Sequence, residues 1–352
     1  MPDPVVRDAE TGWWHVGTDA GVRAVLGDPA RCSSAPMGAL DRVLIGADPP
    51  EHAPVRRLVG AALRATAVPD DRIAAIAGKL LYPVVRAGGG DAVQQLARPL
   101  AARVTAAQLG LDPAHADDLL RFGDAVADVA DFAPADAEAF LALDLAVARW
   151  AAQRRVCPTG DGISIVVTGA RGQANLRSGQ VRSLIRLLVV AGIVTSARLS
   201  AGALLAVASD PGLQAEVRAT PALVPRVVEE VLRRDPPLRF ILREVVGEGL
   251  EIDGVALPAG ATLACRLDGA NRDPAAHPDP DRFDIERDES HLAFGAGAHR
   301  CPGAGLARRQ AKVLLELVLA RTTQLGLAGD VSWERDRHLQ GPAAVPLRVS
   351  NV

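Results

Sequence analysis

Apolar residues recur at three- and four-residue intervals over long stretches of the chain, the spacing that places them on one face of a helix. Arg57 to Arg64, Val93 to Leu109 and Ala135 to Arg155 all carry the pattern. Clusters of Gly and Pro punctuate these stretches, as at Arg86 to Asp91 (RAGGGD) and Cys157 to Gly162 (CPTGDG). From Val181 to Ser209 the chain is apolar on nearly all sides, and it stops at Asp210-Pro211. This predicts a long helix through the centre of the molecule. A second helix is predicted from Pro221 to Arg234, ended by Asp235-Pro236-Pro237. Phe240 to Val246, Leu250 to Leu257 and Thr262 to Leu267 then read as strands. A Pro-rich, turn-rich segment leads to Cys301 and a last long helix, Ala304 to Arg321. The pattern predicts a mainly α fold with a small β portion. With no internal repeat and no linker, residues 1–352 are expected to form a single domain.

Composition narrows the function classes. A net charge of -3, from 39 basic and 42 acidic residues, gives no reason to expect nucleic acid or an anionic membrane as partner. Aromatic residues make up only 3% of the chain, which argues against a base-stacking surface. The N-terminal MPDPVVRDAETGWW has no apolar core of the signal-peptide kind. The apolar run between Arg186 and Arg198 reads as too short to span a bilayer, so a cytoplasmic protein is expected. Cys32, Cys157, Cys265 and Cys301 lie far apart, in neither a disulfide framework nor a zinc pattern.

Cys301 stands out by its neighbours. It lies in FGAGAHRCPG, Phe294 to Gly303, with Gly295, Gly297 and Gly303 permitting a tight backbone. A helix start follows, where unpaired N–H groups and the helix dipole favour a thiolate. A lone Cys at a Gly-rich turn would be an idle thiol. The full string is more specific: with Phe294, Gly295, Gly297, His299, Cys301, Gly303 and then Leu306-Ala307-Arg308, it resembles the cysteine-ligand loop of the cytochrome P-450 family. The resemblance implies haem b with Cys301 as axial iron ligand, lying between the long central helix and the cysteine loop of a triangular fold.

Four other segments resemble the same family in order. In DPPEHAPVRR, Asp48 to Arg57, His52 and Arg56 are four apart on one helix face, where both can point at an anion. The resemblance makes them ligands of the haem propionates, together with Arg243, and suggests His291 and His299 as further partners. Alone, each would read as a solvated or surface residue. Glu230 and Arg233, followed by Arg282 in PDRF, resemble the family's buried triad, a structural brace for the loop. In the central helix, Ala191 to Ser196 (AGIVTS) resembles the oxygen-binding segment. There the resemblance gives Gly192 the role of leaving room for dioxygen and Thr195 that of a hydroxyl near it. A threonine in an apolar helix otherwise bonds to its own backbone.

The family usually has an acid where this chain has Val194, and valine cannot relay a proton. Water held by Thr195 and Ser196 would then serve, or the reaction is ring closure, desaturation or coupling without oxygen insertion. Arg198 reads either as a substrate-carboxylate ligand or as the partner of a nearby acid, with the second favoured. The segments Ser34 to Leu44 and Asp131 to Ala137 look short, which suggests an open pocket for a small, bulky or carrier-bound substrate. By resemblance the pocket walls include Met37, Leu44, Ile193, Val194, Leu238, Phe240, Ile241 and Gln340. Electrons would come from a ferredoxin-type donor and its reductase, docking near Arg57, Arg300, Arg308, Arg309 and Lys312. The protein is expected to be a monomer. A non-catalytic helper of the same fold would lack the ligand cysteine, which this chain keeps.

Overall fold

The computed structural model describes residues 5–37, 43–124, 126–128, 133–134, 137–288, 290–336 and 338–351. Its axis is the helix Ser178–Ser209, 32 residues and so about 48 Å long. The helix tolerates an apolar surface on most sides because other helices cover it: Arg98–Leu109, Ala116–Asp124, Ala137–Val156, Val224–Arg234 and Ala304–Arg321 all pack against it. Leu184, Ile185, Leu199 and Leu204 are buried along its length. By length and apolarity alone this helix would qualify to cross a bilayer, contrary to the short uncharged run inside it. Two thirds (67%) of its most apolar window is nevertheless buried in the protein, as in a core helix. It ends where Asp210 leaves helical geometry. The Asp210 carboxylate accepts N–H bonds from Gly212 and Leu213 at 2.8 and 3.0 Å. That caps the next helix, Pro211–Ala219, whose proline occupies a first-turn position.

The other helices follow the apolar spacing closely. The Arg57 stretch is the end of His52–Ala65. Val93 to Leu109 begins as a π-helical turn, Ala92–Ala97, before Arg98–Leu109. Ala304–Arg321 runs over the predicted residues. Among the strands, Leu250 to Leu257 divides in two. Leu250–Ile252 and Val255–Leu257 pair antiparallel around Asp253 and Gly254, both with positive φ (50° and 79°). An Asp-Gly pair between short apolar runs is the signal of a two-residue hairpin, so this turn was readable in the sequence.

The main sheet has five strands in the order Val5–Arg7, Trp14–Val16, Thr262–Arg266, Phe240–Val245, Cys32–Ser33. Only the Trp14–Val16 and Thr262–Arg266 pair is parallel. A second sheet joins Thr322–Leu327, Pro346–Asn351 and Gly89–Asp91, and Ser332–Arg335 forms a ribbon with Gln340–Ala344. The result is a mainly α fold with small β sheets. Parts of the two segments read as short, 38–42 and 129–132 with 135–136, lie outside the described residues.

Candidate active site

The cysteine loop is shaped by backbone contacts. The Cys301 N–H donates to the Phe294 carbonyl at 2.9 Å, and the Gly295 N–H to the Leu292 carbonyl at 2.8 Å. Gly297 has a φ of +63°, and a Cβ there would stand 2.2 Å from the carbonyl oxygen of Leu26. Only glycine fits that approach. Gly303, by contrast, has ordinary helical φ, so its backbone does not require glycine. Cys301 keeps exposed surface, but protein atoms crowd its thiol. Desolvation by the surrounding protein pushes its thiol pKa up, against the N–H bonds from Gly303 and Ala304 and the charges of Arg56 and Arg308, which pull it down. The helix start thus supplies the expected donors, but they do not outweigh burial by themselves. A coordinated metal deprotonates a thiol outright.

Beside the loop lies a cluster of bases with little to neutralise them. The rings of His52 and His299 are 4.1 Å apart, and His299 Nε2 shares a 3.0 Å hydrogen bond with Ser34 Oγ. Arg243 is 2% exposed, and its one hydrogen bond among the described residues goes to the carbonyl of Leu242, at 2.7 Å. Among the described residues the buried Nε2 of His52 has no hydrogen-bond partner. Asp48, the nearby carboxylate, is already engaged by the Ser33 hydroxyl and the Ser34 N–H. Burial, then the charges of Arg243, His52 and Arg56, drive the His299 pKa down to about 3. Burial and Arg56 likewise lower that of His52. A buried guanidinium without a carboxylate is costly. His52, Arg56, Arg243 and His299 therefore fit an anionic group placed next to Cys301, and the two propionates of a haem meet that description.

On the central helix, Thr195 Oγ1 donates to the Ala191 carbonyl at 3.0 Å. The hydroxyl is back-bonded, which leaves its oxygen as an acceptor. Ser196 is buried, on a different side of the helix from the partly exposed Thr195. Gly192 has another reason to be glycine than room for dioxygen: a Cβ there would stand 2.8 Å from Thr105 Oγ1 on the Arg98–Leu109 helix. It permits helix packing, while the neighbouring Ala191 is the exposed residue. Ile193 and Val194 face Gly123, whose Cβ would lie 3.6 and 3.5 Å from them. Both line a cavity of about 560 Å³ together with Arg98, Asp124, Arg198 and Glu334. Arg198 donates to Glu334 at 2.7 Å, so it has the acid partner that the sequence favoured.

Several assignments need correction. His291 does not turn toward the bases. Its Nε2 lies 3.2 Å from Glu229 and its Nδ1 accepts from the Ala293 N–H. Arg282 is 69% exposed and, among the described residues, pairs only with Asp284, at 3.9 Å. The second guanidinium at Glu230 belongs to Arg287, at 3.5 Å, because the chain turns back after Phe283. Glu230 and Arg233 do form a buried bidentate pair, both contacts at 2.7 Å. Gln340 spends its side-chain amide on the Pro236 carbonyl at 3.1 Å. Met37 and Phe240 pack into one buried cluster with Leu242 and Ala264, and the Met37 sulfur accepts from the Leu242 N–H. Ile241 packs at Gly295 of the cysteine loop, whose Cβ would be 3.3 Å from it. Leu44 is buried with positive φ, and Leu238 bridges to Leu339. Met37, Phe240 and Gln340 thus have structural work to do. Sequence reasoning missed Ser34, Arg287 and Glu229, none of which sits in a string that marks it.

The Cytochrome P450 family model matches residues 222–323. The chain is 32% identical to the cytochrome P450 monooxygenase PikC of Streptomyces venezuelae, over 96% of this chain and 85% of that protein. It is 33% identical to the erythromycin C-12 hydroxylase of Saccharopolyspora erythraea, over 96% and 88%. Among solved structures, cytochrome P450 CYP109Q5 from Chondromyces apiculatus superposes with a TM-score of 0.90 at 31% identity, over 100% of this chain and 93% of that one.

Proposed function

Since the chain belongs to the cytochrome P450 family, we propose that it is a haem b monooxygenase of bacterial secondary metabolism, working as one domain on a bulky natural product. The observation that carries this is the pairing of Cys301 in its glycine-shaped loop with four bases that lack a carboxylate. Relatives named erythromycin C-12 hydroxylase, mycinamicin IV hydroxylase/epoxidase and cyclomarin C epoxidase support the substrate class. Cys301 would hold the iron, and His52, Arg56, Arg243 and His299 the propionates. When bound, the haem supplies the two-electron activation of dioxygen.

The chain's own residues then set access and protons. The back-bonded Thr195 hydroxyl presents lone pairs, so it orients a water rather than donating directly. Val194 closes the direct relay; of the carboxylates lining the 560 Å³ cavity, Asp124 and Glu334 are tied to Arg98 and Arg198, and Asp336 accepts the N–H groups of His338 and Leu339. Protons accordingly travel by water through this cavity. An acidic ferredoxin-type donor, re-reduced by its reductase, would meet Arg57 and Arg300, which are exposed and unpaired among the described residues. Arg308, Arg309 and Lys312 already hold Glu229, Asp70 and Glu316. The aqueous compartment of the cell, where such donors work, is the proposed location.

Val194 favours a second reading: ring closure, desaturation or coupling without oxygen insertion. The test has two parts. Dithionite-reduced protein with carbon monoxide should show the strongly red-shifted thiolate band, and Cys301→Ser should abolish it. Product mass then decides the chemistry. A gain of one oxygen supports monooxygenation, and a loss of two hydrogens supports the second reading. Absence of bound haem from protein made with ample haem supply would refute both and return the chain to a helper role.

A further inference from the structure

Behind the cysteine loop, three side chains form a charge unit that the proposed reaction does not use. Glu229 accepts Arg308 Nε and Nη2 at 2.7 and 2.8 Å, and His291 Nε2 at 3.2 Å. Because His291 Nδ1 accepts the Ala293 N–H, its proton sits on Nε2 and points at Glu229. The Arg308 guanidinium lies 4.5 Å from the centre of the Phe294 ring. The Phe294 carbonyl in turn holds the Cys301 N–H at 2.9 Å. A continuous series of contacts therefore joins Glu229 to the ligand cysteine.

We propose that Glu229 and Arg308 are positioning residues that set the electron affinity of the thiolate-held iron, with Arg308 raising it and Glu229 holding it down. The inference rests on the haem-thiolate reading above. A purely mechanical brace does not account for the arrangement. The two side chains are 43% and 30% exposed, a setting in which an ion pair adds little to stability. The Arg308 guanidinium, however, is seated against Phe294, whose carbonyl accepts the Cys301 N–H, so its charge lies beside the loop that holds the sulfur. Cancelling or uncovering that charge changes the field at the sulfur, and positive charge nearby stabilises the reduced, more negative centre.

The experiment is an equilibrium redox titration of the haem-loaded protein, with the carbon monoxide spectrum recorded alongside. At a fixed electrode potential, Glu229→Gln should move the ferrous-to-ferric ratio up by about tenfold, and Arg308→Gln should move it down by about as much. The double variant and Arg308→Lys should lie near the native protein. All should keep the thiolate band. Shifts of the same sign in the two single variants, no shift in either, or loss of the band in both would make the unit a simple brace and overturn the inference. If the native protein lacks the thiolate band, the haem-thiolate reading fails, and the inference falls with it.

Discussion

Arg243 shows what a single side chain can disclose. It is buried in the strand Phe240–Val245 with a lone carbonyl for company, and burial lowers its pKa. Arginine at such a place needs an anion, and Asp48 is already committed to Ser33 and Ser34. Arg243→Leu should weaken haem retention by at least tenfold, since one buried charged partner is removed. Transfer of haem to an excess of apomyoglobin measures this directly. Thr195 gives a second prediction. Its hydroxyl bonds Ala191, so Thr195→Val should leave folding and haem content intact while lowering product formed per electron pair consumed by roughly tenfold. Counting product against reducing equivalents tests it; an unchanged ratio would relieve Thr195 of any role in proton handling. At this scale the sequence singled out His52, Arg243 and His299, which the structure gathers beside the loop of Cys301. Each chemistry-bearing group there belongs to a short local string. At Gly192 packing adds a reason for glycine that no local string shows: Thr105, 87 positions away in the chain and adjacent only after helices pack.

Whole elements were legible where periodicity was long. The helix Ser178–Ser209 and the helix Ala304–Arg321 come from unbroken apolar patterns, and the structure differs from them by a few residues at most. The hairpin at Asp253-Gly254 divides what reads as one eight-residue run into two three-residue strands, and its Asp-Gly pair is the local signal for that division. Arg282 and Arg287 illustrate the harder failure. Both follow Glu230 at long range, and nothing local says which of them the chain turns inward. The structure chooses Arg287, whose neighbouring Asp284 also donates its backbone N–H to Glu230 at 2.9 Å. Substitution separates the two arginines from the central pair. Arg233→Ala leaves Glu230 buried beside only one more distant cation, and should cost about 3–5 kcal/mol. Arg282→Ala touches an exposed side chain and should stay within about 0.5 kcal/mol. Urea unfolding of the haem-loaded variants gives both values, and equal losses would restore Arg282 to the brace.

For the whole molecule, charge is arranged by side. The cluster of bases around His52 and His299 is nearly free of acids, while behind the loop Glu229 and Glu230 each meet two basic side chains. Burial pushes the Glu229 carboxyl up, but hydrogen bonds from His291 and Arg308 and the charge of Arg308 prevail and hold it at about 2. A lowered carboxyl pKa stabilises the fold above the usual carboxylate range and ceases to do so as pH falls through the folded value. Screened by its exposure, the pair should give the native protein a small but constant stability margin over Glu229→Gln above about pH 5.5. The margin should shrink as the acid range is entered and close near pH 2. Chemical denaturation in a pH series checks this, and a margin independent of pH would show that the carboxylate charge is not what matters.

The way Arg233 spends its hydrogen bonds bears on how such a chain can drift over generations. Beyond Glu230 it donates to the carbonyls of Asn271, Pro280 and Arg282, at 2.9, 2.8 and 3.3 Å. Two of its N–H groups hold Glu230, and the other three fasten a long irregular segment through main-chain carbonyls. Main-chain carbonyls are present whatever the side chain, so inheritance can rewrite the letters of that segment while its path is kept. The fastening residue has no such freedom. Lysine offers a single nitrogen where two faces of a planar fork are in use, so no conservative step leads away from Arg233. One position is frozen, and a whole stretch of neighbouring sequence is thereby left open to variation.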